Sequence, residues 1–327
     1  MGKSTRSLIF KLSGSVLILY LLFRFIDIDT SGFINIVKNI HIPFYLLSLS
    51  GVVIVLAVKS YRWHWIIRGE GYYYPLTKSF AAYMASFTIG LVTPGRIGEI
   101  ARLYYLRESV DMEFLPSFRT IVTDRIFDLG VLVMLSFAGL ILYSQIGIGS
   151  PYVAVLIGVV VFFAGLLLTA WIISQLMKKP GIAKMTLPRF LHDCLRQAVH
   201  GKATMLWLIT LLAYLIYYGA IWLIFKSLGM NMPIVDVAII LSIVGLATLL
   251  PISFAGFGTR EFSLVYLLGF YGISAETALS FSILQFGAFF LWGGIIGLVF
   301  WVLMPISMDE LKKDAVVIKK MISRKNQ

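Results

Sequence analysis

Apolar residues in this chain come in long runs separated by short charged stretches. Val131–Leu142, Val153–Ile173 and Thr277–Leu303 contain or form such runs, and more lie elsewhere. A helix of about 20 predominantly apolar residues crosses a bilayer. The runs do not alternate in twos, as the strands of a transmembrane barrel would. Full crossings are predicted at about Leu8–Ile26, Ile42–Val58, Ile126–Tyr143, Tyr152–Leu176, Met205–Phe225 and Thr277–Leu303. The first follows a basic start, but it is long and lacks a small-residue cleavage site, so it reads as a span or signal anchor. Its Lys11 and Arg24 sit near the ends, where they snorkel to the interface.

Two further apolar regions are broken by glycine and proline. Phe80–Val92 stops at Pro94-Gly95-Arg96-Ile97-Gly98-Glu99, and Ile100–Leu106 follows with Arg102 and Arg107 at its edges. Val235–Leu250 stops at Pro251, and Phe262–Tyr271 resumes after Gly256-Phe257-Gly258-Thr259-Arg260-Glu261. The halves run from 7 to 16 residues, too short to cross a bilayer.

Composition agrees with the pattern. Hydrophobic residues make up 59% of the 327 and charged residues 13%, against roughly a quarter charged in a soluble domain. Mean hydropathy is +0.89. The net charge of +12 resides in loops, which is the signature of cytoplasmic Lys and Arg setting topology rather than of nucleic-acid binding. The basic segments are the N-terminus, Lys59–Lys78, Glu108–Arg125, Met177–Lys202 and the C-terminus; Asp27–His41, Ser144–Pro151, Lys226–Asp236 and Gly272–Glu276 are charge-poor or acidic. With every basic segment cytoplasmic, Phe80–Arg107 enters and leaves on the cytoplasmic side and Val235–Tyr271 on the outer side.

The expectation is therefore an all-α, multi-pass protein of the cell membrane with both termini cytoplasmic. It has about six full crossings plus two opposed re-entrant hairpins, arranged like an inverted repeat. Residues 1–303 form one transmembrane domain and 304–327 a basic tail. Paired interrupted segments in two halves are the best sequence pointer to a transporter's binding site.

Each hairpin tip carries a proline, two glycines, an arginine and a glutamate. Pro94 and Pro251 break the helix; Gly95, Gly98, Gly256 and Gly258 permit tight geometry. A charge at the centre of a spanning helix costs about 2.5–3.5 kcal/mol, so charged broken tips are candidate sites. Arg96 and Arg260, joined by Arg102 and Arg125, present planar forks suited to phosphate or carboxylate. Glu99 and Glu261 tune the arginines or carry a proton. The competing reading is local neutralisation, Arg96 by Glu99 and Arg260 by Glu261. Asp128 lies three residues after Arg125 on the same helix face, either as part of the site or as an ion pair at the membrane edge. Tyr214, Tyr217 and Tyr218 offer mid-span hydroxyls or ordinary packing, and Gly293 with Gly297 forms a small-xxx-small packing pair. Lys59, Tyr61, Arg62, Trp63, Trp65 and Arg68 read as an interfacial anchor. Cys194, near His192 and His200, reads as a loop thiol. Neither a metal site nor a cofactor is expected, and no enzyme motif is present.

The motifs at 94–99, at Asp124-Arg125-Ile126-Phe127-Asp128 and at 251–261 resemble the membrane region of lysylphosphatidylglycerol synthases, over about residues 8–303. The resemblance implies a flippase-like domain acting on a membrane phospholipid or lipid-linked substrate. It departs in ending at Gln327, without an aminoacyl-transferase domain, so lipid synthesis by this chain is not expected. Three functions stand against one another. The first is a lipid translocase. The second is a membrane enzyme using Asp111, Glu113 and Asp124. The third is a partner subunit for a separate cytoplasmic synthase or glycosyltransferase, docked on Met177–Lys202 and the tail.

Overall fold

The computed structural model describes residues 30–91, 94–145, 190, 193–194, 196–198, 202–249, 256 and 258–305, with side chains for all of these except 30–33, 94–97 and 137–145. The crossings expected at Leu8–Ile26 and Tyr152–Leu176, the residues Pro251, His192 and His200, and all but the first two residues of the tail lie outside the described residues.

The described residues are helical, with no strand among them. They form α1 (Thr30–Lys38), α2 (Ile42–Gly69), α3 (Leu76–Leu91), a 3-10 segment (Pro94–Ala101), α4 (Arg102–Val110), α5 (Phe114–Gln145), α6 (Ala203–Ser227), α7 (Ile234–Ala247), α8 (Thr259–Gly269), α9 (Ala275–Phe286), a π-helical turn (Gly287–Trp292) and α10 (Gly293–Leu303). Among the described residues three helical stretches are long and apolar enough to cross a membrane: Ile42–Gly69, Ala203–Ser227 and Ala275–Leu303. At 32 residues α5 is also long enough, about 48 Å at the α-helical rise. By the same measure α3, α7 and α8, at 16, 14 and 11 residues, fall short of the roughly 30 Å hydrocarbon thickness.

The exterior is apolar where a soluble protein's would be largely polar, and several charges are buried. Leu46, Leu47 and Ile54 of α2, Leu208 and Leu215 of α6, and Ile295, Val302 and Leu303 of α10 are exposed. Arg62, Arg102, Asp124, Asp128, Arg260 and Glu261 are buried. An apolar exterior around paired charges is the pattern that lipid imposes.

Glycine sets the close contacts. A Cβ on Gly51 of α2 would stand 2.6 Å from the Ala220 Cβ of α6, and one on Gly297 of α10 would collide with the Met84 carbonyl and Thr88 hydroxyl of α3. The Gly293–Gly297 pair is thus a packing surface. The first broken region folds back on itself: Gly98 touches the Ile89 carbonyl, and Gly90 lies against Glu99. In the second, α7 packs on α8, with Gly256 and Gly258 at φ +82° and +89° in the turn, a conformation that costs glycine little.

The segments grouped by charge meet at common ends. Arg119 reaches Glu70 at 3.5 Å and Asp193 at 3.3 Å, and the Tyr105 hydroxyl donates to the Met304 carbonyl. This joins four of the basic segments' neighbourhoods. At the other end the His41 amide donates to the Ser227 carbonyl.

Three boundaries differ from expectation. Asp27–His41, read as polar connection, contains α1, whose Ile36 and Val37 are half-buried. Helix α2 continues eleven residues past Val58, and α5 starts twelve residues before Ile126. In both, polar residues continue the helix on a buried face. Ser117, Thr120, Asp124 and Asp128 form one such stripe on α5, at steps of three and four residues.

Candidate functional site: a buried charge network and a second charged tip

Seven ionisable side chains converge inside the bundle. Lys59 and Arg62 come from α2, Glu99 from the 3-10 segment, Arg102 from α4, and Asp124, Arg125 and Asp128 from α5. Arg62 donates through Nε and Nη2 to Asp124 Oδ1 at 3.0 and 2.6 Å, and through Nη1 to Asp128 Oδ1 at 2.8 Å and the Thr210 hydroxyl at 3.0 Å. Arg102 Nη1 holds the other Asp124 oxygen at 2.9 Å, and its Nη2 reaches Glu99 at 3.4 Å. Its guanidinium lies over the Tyr83 ring at 4.6 Å and the Trp63 ring at 5.3 Å. Lys59 pairs with Asp128 at 3.0 Å. Arg125 bonds Glu99 and stands 3.8 Å from the second Asp128 oxygen, an oxygen that is buried without a hydrogen bond.

These groups are not equally enclosed. Arg62 and Asp124 are fully buried, whereas the Arg125 side chain is 37% exposed. Four cations face three carboxylates among the described side chains, so the network carries one positive charge in excess. Burying charges is tolerated only when they are paired and hydrogen-bonded; Arg125 is the most open of the four cations, ahead of Lys59 at 20%.

The second tip is built differently. Arg260 bonds Glu261 through Nε (3.1 Å) and Nη2 (2.5 Å), and its Nε also donates to the Ser282 hydroxyl at 2.9 Å. Ser282 donates to Glu261 at 2.8 Å, and Glu261 accepts from the Gly258 amide at 2.6 Å. The guanidinium lies 5.5 Å from the Phe286 and 5.8 Å from the Phe290 ring centroid. Local pairing of Arg260 with Glu261 is therefore present. Arg96 has only its backbone described, within the 3-10 segment, as do Pro94 and Gly95.

Both broken regions abut one stretch of the last helix. Thr88, at the end of α3, donates to the Gly294 carbonyl at 2.8 Å. Arg260 lies near Phe286 and Phe290, and the π-turn Gly287–Trp292, which contains Phe290, ends two residues before Gly294. Such π-turns recur at functional sites. The tyrosines of α6 connect the two tips. Tyr214 donates to the Asp128 carbonyl at 3.0 Å, Tyr217 accepts from Gln285 at 3.1 Å, and Tyr218 shares a hydrogen bond with Ser242 of α7 at 2.6 Å. Gln285 and Ser282, three residues apart, share a face of α9.

Of the expected site residues, Glu99, Arg102, Arg125 and Asp128 come together, and Arg260 and Glu261 form a separate pair. Lys59, Arg62 and Asp124 belong to the network although the first two read as an interfacial anchor. The helix runs on through them, so they are carried inside. Their signal was the spacing: Lys59 and Arg62 stand one turn apart, as do Asp124 and Asp128. Asp111 and Glu113 are exposed while Asp124 is buried between two arginines, so these three carboxylates do not converge. Among the described residues no three His, Cys, Asp or Glu side chains are arranged to hold a metal ion.

At the basic end, Glu70 is raised above the ordinary carboxylate range by burial, against the pull of Arg119. Cys194 is buried with Phe118 and Phe190, and burial pushes its thiol up to about 12.

The sequence profile of a family described as "Lysylphosphatidylglycerol synthase TM region" matches residues 8–297. A UPF0104 membrane protein of Methanocaldococcus jannaschii is 22% identical over 334 residues, covering 92% of this chain and 98% of that protein.

Proposed function

The chain belongs to the family of lysylphosphatidylglycerol synthase transmembrane regions, and from that premise we propose that it is a lipid translocase for an anionic or phosphate-bearing headgroup. The observation that carries this reading is the buried network, with one cation in excess among the described side chains and Arg125 at its open edge. A headgroup phosphate at Arg125 neutralises the network while the acyl tails remain in lipid. Arginine's fork suits that phosphate. The two short, folded-back helix pairs act as re-entrant hairpins, since irregular backbone at membrane depth is tolerated where protein or a water-filled cavity satisfies it. Their tips flank the π-turn of the last helix, which supplies a common seam for the headgroup's passage. The basic end is the cytoplasmic one in this reading, as the excess of Lys and Arg requires.

The test is movement of labelled lipids between leaflets of proteoliposomes. Wild-type protein accelerates exchange of anionic lipid over neutral lipid, and Arg125→Gln and Arg96→Ala each slow it at least tenfold. Exchange that is indifferent to headgroup, or equal in wild type and both variants, overturns the proposal.

A further inference from the structure

A second polar site lies at the basic end, one turn beyond the charge network along α2. It is a pocket of about 760 Å³ between the end of α2, the connection to α3, residues Asp193, Arg196, Gln197 and Lys202, and the start of α6. That volume falls within the range of small-molecule sites. Its lining includes Arg68, Arg119, Arg196 and Lys202 against one carboxylate, Asp193, with Trp65 and Tyr73 as aromatic walls.

The cations differ in how they are held. Arg119 is fixed between Glu70 and Asp193, and Glu70 is bonded in turn by Gln197. Arg68, Arg196 and Lys202 are exposed and form no ion pair among the described residues. Arg68 lies 5.0 Å from the Trp65 ring and 5.1 Å from the Tyr73 ring, and Lys202 lies 3.8 Å from the same Trp65 ring. Two like charges from different helices thus share one indole.

A generic belt of snorkelling residues would point its charges outward over a convex edge. Here they border a concavity whose floor, Ile66 and Leu206, is apolar. Aromatic rings, an apolar floor and unpaired cations at the membrane interface suit an amphipathic anion. We propose that this pocket is a docking site for the phosphate of an anionic phospholipid from the adjoining leaflet. The inference does not depend on translocation, since it uses none of the network residues.

Native mass spectrometry of the full chain in detergent tests it, with phosphatidylglycerol, phosphatidylcholine and glycerol 3-phosphate as probes. Wild-type protein is expected to retain phosphatidylglycerol at least tenfold better than phosphatidylcholine. The double substitution Arg68→Gln with Lys202→Gln lowers that retention at least threefold at unchanged thermal stability, the remainder being what the charge network holds. Lys78→Gln, an exposed cation outside the pocket, binds like wild type. Undiminished binding by the double variant overturns the site, and an equal loss with Lys78→Gln replaces it by diffuse surface charge. Displacement of the lipid by glycerol 3-phosphate at equal concentration overturns the lipid as its source.

Discussion

Arg62 on α2 donates to the Asp124 carboxylate on α5 over 2.6 Å, and neither side chain has any exposed surface. The contact joins two long helices by a bond that lipid cannot replace. Asp124 is gripped from its other oxygen by Arg102, so one carboxylate ties α2, α4 and α5 together. Removing one partner of a buried pair typically costs about 3–5 kcal/mol, because the other charge is left uncompensated.

Arg62→Ala is therefore expected to destabilise the protein by about that amount, read as a lowered unfolding temperature in detergent. Arg62→Lys does not rescue it, since a single ammonium cannot reproduce a fork that serves Asp124, Asp128 and Thr210. An unfolding temperature within 1 °C or so of wild type would sink the assignment of Arg62 as a structural tie.

At Gly297 the expected effect is steric. A side chain there meets the Met84 backbone, which cannot rotate away. Gly297→Val separates α3 from α10 and costs about 1–3 kcal/mol or more, the usual range for overpacking. Gly219, with open space around it, serves as the comparison, because Gly219→Ala introduces no clash. Equal stability of the two variants would show that the α3–α10 approach is looser than described.

Gly98→Ala tests whether the first broken region works as a folded-back unit. The added methyl strikes the Ile89 carbonyl, and the 3-10 segment bearing Glu99 must shift. Lipid exchange in proteoliposomes should fall at least tenfold. Retained exchange at wild-type rate would remove this hairpin from the mechanism.

Cys194 makes a chemical probe, since it is the only cysteine in the chain. Its thiol is raised from about 9 to about 12 by burial, so the folded protein holds the proton that the unfolded chain loses. Stability therefore falls as pH climbs through that window. Maleimide labelling at pH 7.5 is expected to be slow in folded protein and fast in denaturant, because the thiolate is the reactive form. Rapid labelling of folded protein would show that the 193–198 segment does not pack as described.

Much of this was legible in the chain. Runs such as Met205–Phe225 and Thr277–Leu303 mark helices within two residues of their ends, because a lipid-facing helix is apolar all round and its boundary is a change of solvent. The Gly/Pro breaks locate both folded-back regions, since proline and glycine act on the backbone locally. Lys59, Arg62 and Asp124 escaped, because hydropathy treats a charged turn as the end of a span. Only packing reveals that α2 and α5 continue past it and bury those charges against each other. The split between the tips was likewise a tertiary outcome. Their compositions match, yet Arg260 closes on Glu261 and Ser282, while Glu99 bonds Arg102 and Arg125 and through them joins a network drawn from three other elements.

By itself, the sequence determined that the protein is helical, lies in a membrane and breaks two of its helices at charged tips, because those properties follow from local backbone chemistry and transfer to lipid. Which charges meet was decided by tertiary structure alone. An ion pair between residues 62 and 124 depends on the crossing of two helices and on glycine contacts elsewhere, and no local pattern encodes that distance.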